Sequence, residues 1–200
     1  CDKEVSIRFV DEKRTDGACA DSYTLERTWE AEDNCGNTMT GTQTITVQDT
    51  TKPILTIPAN ETVECDAVPA LEDAIVSATD NCDADVTIEF VREDRVDGDC
   101  PNNYTLYRIW LATDNCNNSD SISQTITVTD TLAPVVPATP SSEVYECIAD
   151  VPTPGDLTAS DNCAGNITVT GVDATDSSDP CNIIITRTWT FTDDCNNSDS

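Results

Sequence analysis

The sequence has no histidine, and it has only 10 lysine and arginine residues compared with 38 aspartate and glutamate residues. Without histidine, neither a Ser-His-Asp triad nor a Cys-His pair can form. Carboxylates are plentiful, but no pair is marked by an apolar setting that would separate their pKa values for acid–base catalysis. The net charge of −28 opposes binding to nucleic-acid phosphates and to anionic membrane surfaces. We therefore expect a protein that is not an enzyme and that binds no nucleic acid.

Two further patterns are missing. No apolar run approaches the roughly 20 residues of a membrane-spanning helix, so we expect no membrane insertion in this segment. No CxxC spacing occurs among the 11 cysteines, which argues against zinc sites built on thiolates. In an acidic chain with strand-like patterning, the cysteines instead indicate disulfides formed in an oxidising compartment.

What the sequence does contain is a repeat. The stretch YTLYRIWLATDNC at residues 104–116 recurs at residues 23–35 and, with more changes, at residues 183–195. Trp29 and Trp110 are 81 residues apart. A fixed period of this length indicates small tandem domains. We place three copies, the first lacking its first strands and the third its last strand, at residues 1–50, 51–131 and 132–200.

Short runs that alternate between apolar and polar residues, with turn residues between them, predict an all-β fold of tandem immunoglobulin-like antiparallel sandwiches. Each repeat of about 80 residues has one Trp and few aliphatic residues, so its core needs covalent support. Alternation places each Trp, and the Arg two residues before it, on the buried face. We expect core tryptophans rather than sugar-binding platforms, and arginines that stack or pair. These residues are Trp29, Trp110, Trp189, Arg27, Arg108 and Arg187.

The complete copy has four cysteines, at positions 65, 82, 100 and 116, which allow three connectivities. If successive strands alternate in direction, Cys65 meets Cys100 at one pole and Cys82 meets Cys116 at the other. The rival pairing of Cys65 with Cys82 and Cys100 with Cys116 stays open, and it requires a hairpin turning at residues 58–60. The predicted disulfides are Cys1–Cys35, Cys65–Cys100, Cys82–Cys116, Cys147–Cys181 and Cys163–Cys195, with Cys19 unpaired.

Asp-Asn-Cys turns are predicted to lie beside the links between copies. Several carboxylate and amide oxygens that converge there could bind Ca²⁺, which takes six to eight oxygen ligands. The alternative is that Asp and Asn only cap backbone groups in turns. The sequence requires no cofactor, and Ca²⁺ at these joints is the one ion it suggests. The candidate ligands are Asp49, Asp80, Asp83 and Asp114 at the first joint and Asp130, Asp161, Asp193 and Asp194 at the second.

Several strings resemble the HYR-like immunoglobulin-fold repeats of giant Bacteroidota cell-surface proteins, best known from gliding adhesins of the SprB type. The resemblance implies export by the type IX secretion system and display as a long surface filament. Many family members join their first and last strands by an extra cysteine pair, and this chain has Thr56 and Ser123 there. The strings that carry the resemblance are SATDNCD (77–83), YTLERTWEAEDNCGN (23–37), QTITVQDTTKPIL (43–55) and QTITVTDTLAP (124–134).

The resemblance also implies O-glycans on Asp-Thr/Ser sequences, with Thr50, Ser121 and Thr131 as candidates. The expected function is a structural repeat segment of a secreted filament or adhesin on the bacterial surface, supporting attachment and gliding. Its expected partners are neighbouring repeats of the same chain and an external surface or glycan. The alternative is a calcium-dependent module that binds a carbohydrate or a protein.

Overall fold

The computed structural model describes residues 4–179 and 181–200. Over these residues the chain forms fifteen strands and three single-turn 3₁₀ helices, which confirms the predicted all-β class. No helix in this part of the chain is both long and apolar enough for a membrane crossing. The strands are β1 (Val5–Asp16), β2 (Tyr23–Asp33), β3 (Thr38–Val47), β4 (Ile54–Thr56), β5 (Glu61–Glu64), β6 (Ser77–Thr79), β7 (Thr87–Asp97), β8 (Tyr104–Thr113), β9 (Ser119–Thr129), β10 (Asp156–Asp161), β11 (Gly165–Thr170), β12 (Val172–Asp176), β13 (Ile184–Thr188), β14 (Phe191–Thr192) and β15 (Ser198–Asp199). The 3₁₀ helices are Cys65–Ala67, Leu71–Asp73 and Ile148–Asp150.

Strands β1, β2 and β3 form an antiparallel sheet in that order. The turn between β1 and β2 is closed by Gly17, whose N–H donates to the Ser22 carbonyl over 2.6 Å. A Cβ at Gly17 would lie 2.6 Å from that same oxygen, so the turn requires glycine. Within the sheet, Phe9 pairs with Trp29, and their rings meet edge to face at 5.4 Å.

Strands β7, β8 and β9 repeat this arrangement in the second copy, where β5 extends the sheet to the order β5-β9-β8-β7. The β5–β9 pairing is parallel, with Val63 opposite Val128, so the sheets are not purely antiparallel as predicted. The first stretch of this copy is split around Pro58 into β4 and β5, because proline has no N–H for a ladder. Its first half, β4, pairs with β6, and its second half pairs with β9.

The core of the second sheet is small. Leu106, Ile126 and Val128 are buried and pack together, with Val63 and Val68 against them. Inward and outward residues alternate along β8 and β9, as the period-two pattern predicts. Each fully buried aliphatic side chain contributes about 1.5–3 kcal/mol, so three such residues leave this core dependent on other support.

The third copy forms three two-stranded sheets, β10–β11, β12–β13 and β14–β15. Gly165 begins β11 at a φ of +76°, a conformation that favours glycine at this tight turn. Trp189 donates its indole N–H to the Gly155 carbonyl over 2.9 Å. A Cβ at Gly171 would lie 2.8 Å from the Trp189 ring, so glycine there makes room for the tryptophan.

The chain forms two compact units, and neither coincides with one sequence copy. The first consists of Cys1–Pro58, Ala74–Arg92 and Arg108–Ser123, and the second of Ala59–Asp73, Glu93–Tyr107 and Gln124–Ser200. Each unit therefore combines segments from two consecutive copies. The boundaries at residues 50/51 and 131/132 describe the sequence period rather than these units.

Candidate functional site: cross-copy disulfides and two carboxylate clusters

Three disulfides link cysteines that are far apart in the sequence. The separations are 97, 98 and 95 residues, and the Cα–Cα distances are 5.0, 5.8 and 5.2 Å, within the usual range for a disulfide. Since the repeat period is 81 residues, each of these disulfides joins one copy to the next. We call them cross-copy disulfides; they are Cys19–Cys116, Cys65–Cys163 and Cys100–Cys195.

This pairing corrects the prediction that disulfides form within a copy. Cys19, predicted to be unpaired, is bonded to Cys116, and the rival pairing within a copy is wrong as well. The predicted Cys1–Cys35 disulfide falls partly outside the described residues, and Cys35 is a free thiol. The other pairings that the structure replaces are Cys65–Cys100, Cys82–Cys116, Cys147–Cys181 and Cys163–Cys195.

Strand length is the physical reason for the correction. β1 has 12 residues, which extend about 40 Å at roughly 3.3 Å per residue. An ordinary strand of five or six residues extends only about 17–20 Å. In the first unit, the turn at the end of β1 therefore carries Cys19 to the β8–β9 turn that holds Cys116. The predicted strand order assumed short strands within one copy, and it did not allow a cysteine at the end of a long strand to meet one in the next copy.

The cross-copy disulfides are of two types, which are defined by the repeat positions of their cysteines. Cys19 and Cys100 occupy the same repeat position, and both bond the cysteine of a later Asp-x-Cys turn, Cys116 or Cys195. Cys65–Cys163 is a second type, which uses the two remaining cysteine positions of the repeat. Together the two types use all four positions.

Among the described residues, four cysteines are free and exposed, and each aligns with a bonded one. Cys82 aligns with Cys163, and the two have similar surroundings. The amide N–H of Asn81 donates to the Cys82 sulfur over 3.0 Å, and that of Asn162 donates to the Cys163 sulfur over 3.2 Å. Desolvation, followed by the charges of nearby aspartates, raises the pKa of the Cys82 thiol, so this thiol is a poor nucleophile. The four free cysteines are Cys35, Cys82, Cys147 and Cys181.

The Asp-x-Cys turns cap their own backbone, as the alternative interpretation predicts. Asp114 Oδ1 accepts the N–H groups of Cys116 and Asn118, both over 2.8 Å. Asn117 between them has a φ of +67°, which asparagine tolerates better than most residues. The turn at Asp193 repeats these bonds with Cys195 and Asn197. Capping therefore accounts for one oxygen of each of these carboxylates.

Three carboxylates that the sequence selects as metal ligands converge in the second unit. Asp130, Asp161 and Asp193 place one oxygen each within 4.8 Å of the other two, and Glu64 lies beside Asp130. Asp130 is 4% exposed and Asp193 is 6% exposed. Burial raises the pKa of Asp130; a hydrogen bond from Asn102 opposes this, and the charges of the other carboxylates add to it. We call Asp130, Asp161 and Asp193 the second carboxylate cluster.

The first unit contains the repeat equivalent, which we call the first carboxylate cluster: Asp49, Asp80 and Asp114. Asp49 and Asp80 lie within 4.8 Å of each other and of the Cys82 sulfur. Asp114 is 5% exposed and contacts the Asp49 side chain. Burial acts to raise the pKa of Asp114, but hydrogen bonds from Asn118 and the backbone outweigh it and hold that pKa below its ordinary value.

Two predicted ligands are placed elsewhere, and one neighbouring acid was not predicted. Asp83 Oδ1 accepts the backbone N–H of Asp85, and its Oδ2 accepts that of Asn115 over 2.9 Å. Asp194 is exposed and belongs to neither cluster. Glu64 was missed because it is in a strand rather than in an Asp-rich turn; its position directly before Cys65 was the only signal.

The Trp and Arg residues of the repeated stretch are buried to different extents in different copies. In the second copy, Trp110 and Arg108 are each 4% exposed, and Phe90 meets the Trp110 ring edge to face at 5.7 Å. Trp29 is 40% exposed. Arg27 pairs with Glu12 at 2.6 Å, and Arg187 pairs with Asp173 at 2.7 Å, as expected for structural arginines. The candidate glycosylation residues Thr50, Ser121 and Thr131 are all exposed, and their modification stays a prediction.

The Arg187–Asp173 pair gives a pH-dependent prediction. A hydrogen bond from Arg187 lowers the pKa of Asp173 from 3.8. A carboxyl group with a lowered folded-state pKa stabilises the fold above its unfolded pKa, and this contribution disappears as the pH falls through the folded value. We expect Asp173→Asn to lower the melting temperature of the second unit at pH 7. Below pH 3.8 the difference from the unmodified chain should shrink and disappear.

Calorimetry from pH 7 to pH 2 measures this difference. Asp194→Asn, which removes the same charge from an exposed residue, is the control and should show little change at pH 7. A difference for Asp173→Asn that stays constant down to pH 2 would contradict a contribution from the ion pair.

Comparison with known proteins agrees with the repeat interpretation in part of the chain. Residues 134–200, about a third of the chain, match a family described as "HYR-like domain with 4 cysteines". The match contains four cysteines, Cys147, Cys163, Cys181 and Cys195. Comparison with curated proteins finds no match. HYR-like domains are extracellular repeat domains, so the match and the disulfides agree with a structural repeat of an extracellular protein.

Proposed function

We propose that this chain is a load-bearing segment of a long extracellular filament, in which disulfides join each copy of the repeat to the next. The observation that carries the proposal is that all three disulfides of the described residues cross between copies. Disulfides confined to single copies would stabilise the copies but would leave only the peptide link between them. Disulfides between copies provide a second covalent path for tension.

The thin core makes this path important. A domain of this size has a free energy of unfolding of about 5–15 kcal/mol, which is small for an element under tension. Each cross-copy disulfide closes a loop of nearly 100 residues, worth about 4–5 kcal/mol by loop entropy. A pulled chain cannot extend through such a loop until the disulfide is reduced. The fold thereby resists extension with few apolar residues.

The two types of cross-copy disulfide also assign partners to the free cysteines. Cys35 and Cys82 align with the later members of the two disulfide types, so they bond cysteines of a preceding copy. Cys147 and Cys181 align with the earlier members, so they bond cysteines of a following copy. All four partners belong to parts of the repeat array outside this sequence, and the disulfides form a continuous series along the filament.

The proposal extends to where the filament is displayed, how it is exported and how it is modified. Display on a bacterial surface, support of attachment and gliding, export by type IX secretion and O-glycans at Thr50, Ser121 and Thr131 follow from the family resemblance. The net charge of −28 supports a surface element that stays soluble and does not self-associate. The alternative, a calcium-dependent module for an external ligand, has less support, because Asp130 and Asp193 are too buried for a carbohydrate to reach.

Peptide mapping of the non-reduced protein by mass spectrometry tests the proposal. We expect cross-linked peptides that contain Cys19 with Cys116, Cys65 with Cys163, and Cys100 with Cys195. In a longer chain with flanking copies, Cys82 should be linked to a cysteine of the preceding copy. A peptide that joins Cys65 to Cys100, or Cys82 to Cys116, would show that each copy is bonded within itself and would end the proposal.

A further inference from the structure

We infer that the two carboxylate clusters are each a binding site for one Ca²⁺ ion. The ligands are the carboxylate oxygens of Asp130, Asp161 and Asp193 in the second unit. The repeat-equivalent Asp49, Asp80 and Asp114 supply them in the first. Metal binding at these clusters is a property separate from the disulfide series.

The spacing of the oxygens fits this ion. Ca²⁺ binds oxygens at 2.3–2.6 Å, so two ligands on opposite sides of it are about 4.6–5.2 Å apart. In the second cluster, oxygens of all three carboxylates lie within 4.8 Å of one another. A point between three such oxygens is at most about 2.8 Å from each of them, so a small adjustment of the side chains brings all three to the coordination distance. Glu64, beside Asp130, can add a fourth carboxylate.

Turn capping leaves one oxygen of Asp80 and one of Asp161 without a donor, whereas the second oxygens of Asp114 and Asp193 accept side-chain N–H groups of asparagines over 2.8 Å. Asp161 Oδ1 accepts the N–H groups of Cys163 and Ala164 over 2.8 and 2.7 Å. Asp80 Oδ1 accepts those of Cys82 and Asp83 in the same way, over 2.8 and 3.1 Å. The second oxygen, Oδ2, is buried without a hydrogen-bond donor in both Asp80 and Asp161.

Asp49 provides the observation that points most directly to a ligand. It is 8% exposed, its Oδ1 accepts the N–H of Thr51, and its Oδ2 is buried without a donor. This residue lies within 4.8 Å of an oxygen of Asp80, which also has a buried oxygen without a donor. Buried carboxylates without a partner are costly, and bringing like charges together adds to that cost.

The charges that act on Asp130 are those of other carboxylates. The ion pairs of Arg27, Arg95 and Arg187 are made with acids outside the two clusters. A divalent cation would supply the missing charge in both clusters. Equivalent aspartates, 79 or 81 positions apart, come together in both units, although in the first the group within 4.8 Å consists of Asp49, Asp80 and the Cys82 sulfur.

The ligand chemistry selects Ca²⁺ over softer metals. Carboxylate oxygens are hard ligands, which suit Ca²⁺ and Mg²⁺, whereas Zn²⁺ prefers thiolate and imidazole. The nearby Cys163 sulfur is in a disulfide and the chain has no histidine, so the Cys82 thiol beside Asp49 and Asp80 is a single soft ligand among carboxylates. Mg²⁺ demands nearly ideal octahedral geometry, which irregular turns do not provide. Extracellular modules of this kind bind Ca²⁺ with a Kd of about 10⁻⁴–10⁻³ M.

Calorimetric titration of the chelator-treated, oxidised chain with CaCl2 tests the inference. We expect two Ca²⁺ ions per chain and an increase in the melting temperatures of both units. Asp161→Asn keeps the Oδ1 that caps the turn and removes only the orphaned oxygen. It should reduce the stoichiometry to one and abolish the increase in the second unit. In EDTA it should leave that melting temperature unchanged or higher, because a repulsion is relieved.

The matched control is Asp194→Asn, which removes the same charge one residue from Asp193 and should keep two ions. Asp80→Asn combined with Asp161→Asn should bind none. If Asp161→Asn and the combined Asp80→Asn and Asp161→Asn variant both respond to CaCl2 like the unmodified chain, Ca²⁺ only screens the net charge and the inference is wrong. Titrations of protein whose disulfides have been mapped keep this outcome separate from a failure of the proposed function.

Discussion

Replacement of both Cys100 and Cys195 by serine is expected to lower the free energy of unfolding of the second unit by about 4–5 kcal/mol. The disulfide closes a loop of nearly 100 residues, and its loss restores that freedom to the unfolded chain. For a domain with about 5–15 kcal/mol in total, this is a large share of the stability. Both cysteines are replaced together so that no new thiol can exchange with the remaining disulfides.

Differential scanning calorimetry measures this effect, because the two compact units need not unfold together. The equivalent double variant of Cys19 and Cys116 should destabilise the first unit instead. Cys35→Ser is the control, since Cys35 is exposed and free; we expect a change within about 0.5 kcal/mol. If the Cys100/Cys195 variant were as stable as this control, the cross-copy disulfide would have no mechanical or thermodynamic role.

Ile126→Ala is expected to cost about 2–5 kcal/mol in the second unit. Ile126 is 0% exposed and packs with Leu106 and Val128 at the centre of a small core. Alanine would leave a cavity, and the short surrounding strands have few other apolar side chains to fill it. The loss of stability should be large because only three buried residues form the centre of this core.

Ile122→Ala is the matched control for this variant. Ile122 lies on the same strand, β9, and is 38% exposed, so its truncation should cost much less. Urea unfolding of both variants in oxidising buffer gives the comparison. Equal losses of stability for the two variants would mean that Ile126 does not lie on the buried face of β9.

The alternation of residues along β8 and β9 allowed the all-β fold and much of the core to be predicted from the sequence. Trp110 and Arg108 were placed on the buried face, and both are 4% exposed. A period of two is a local property of extended backbone, so it can be read without knowing what a strand packs against. The parallel β5–β9 pair could not be predicted, because it depends on which distant strand this segment meets.

The candidate site was predicted in part. Six of the eight proposed carboxylates, Asp49, Asp80, Asp114, Asp130, Asp161 and Asp193, are in the two clusters, because their turns recur with the repeat. Asp83 was included because it is also in an Asp-rich turn, yet its oxygens cap Asp85 and Asn115. Turn sequence identifies an acidic turn, but the direction of each carboxylate is set by the neighbouring backbone.

By itself, the sequence determined the repeat, the strands, the acidic surface and the presence of disulfides, since these depend on composition and on local periodicity. Only the tertiary structure decided the partner of each cysteine and the grouping of the aspartates. The physical reason is that every copy offers the same four cysteine positions, so the sequence makes pairing within a copy and pairing between copies chemically equivalent. The reach of strands such as β1 then decides which sulfur atoms meet.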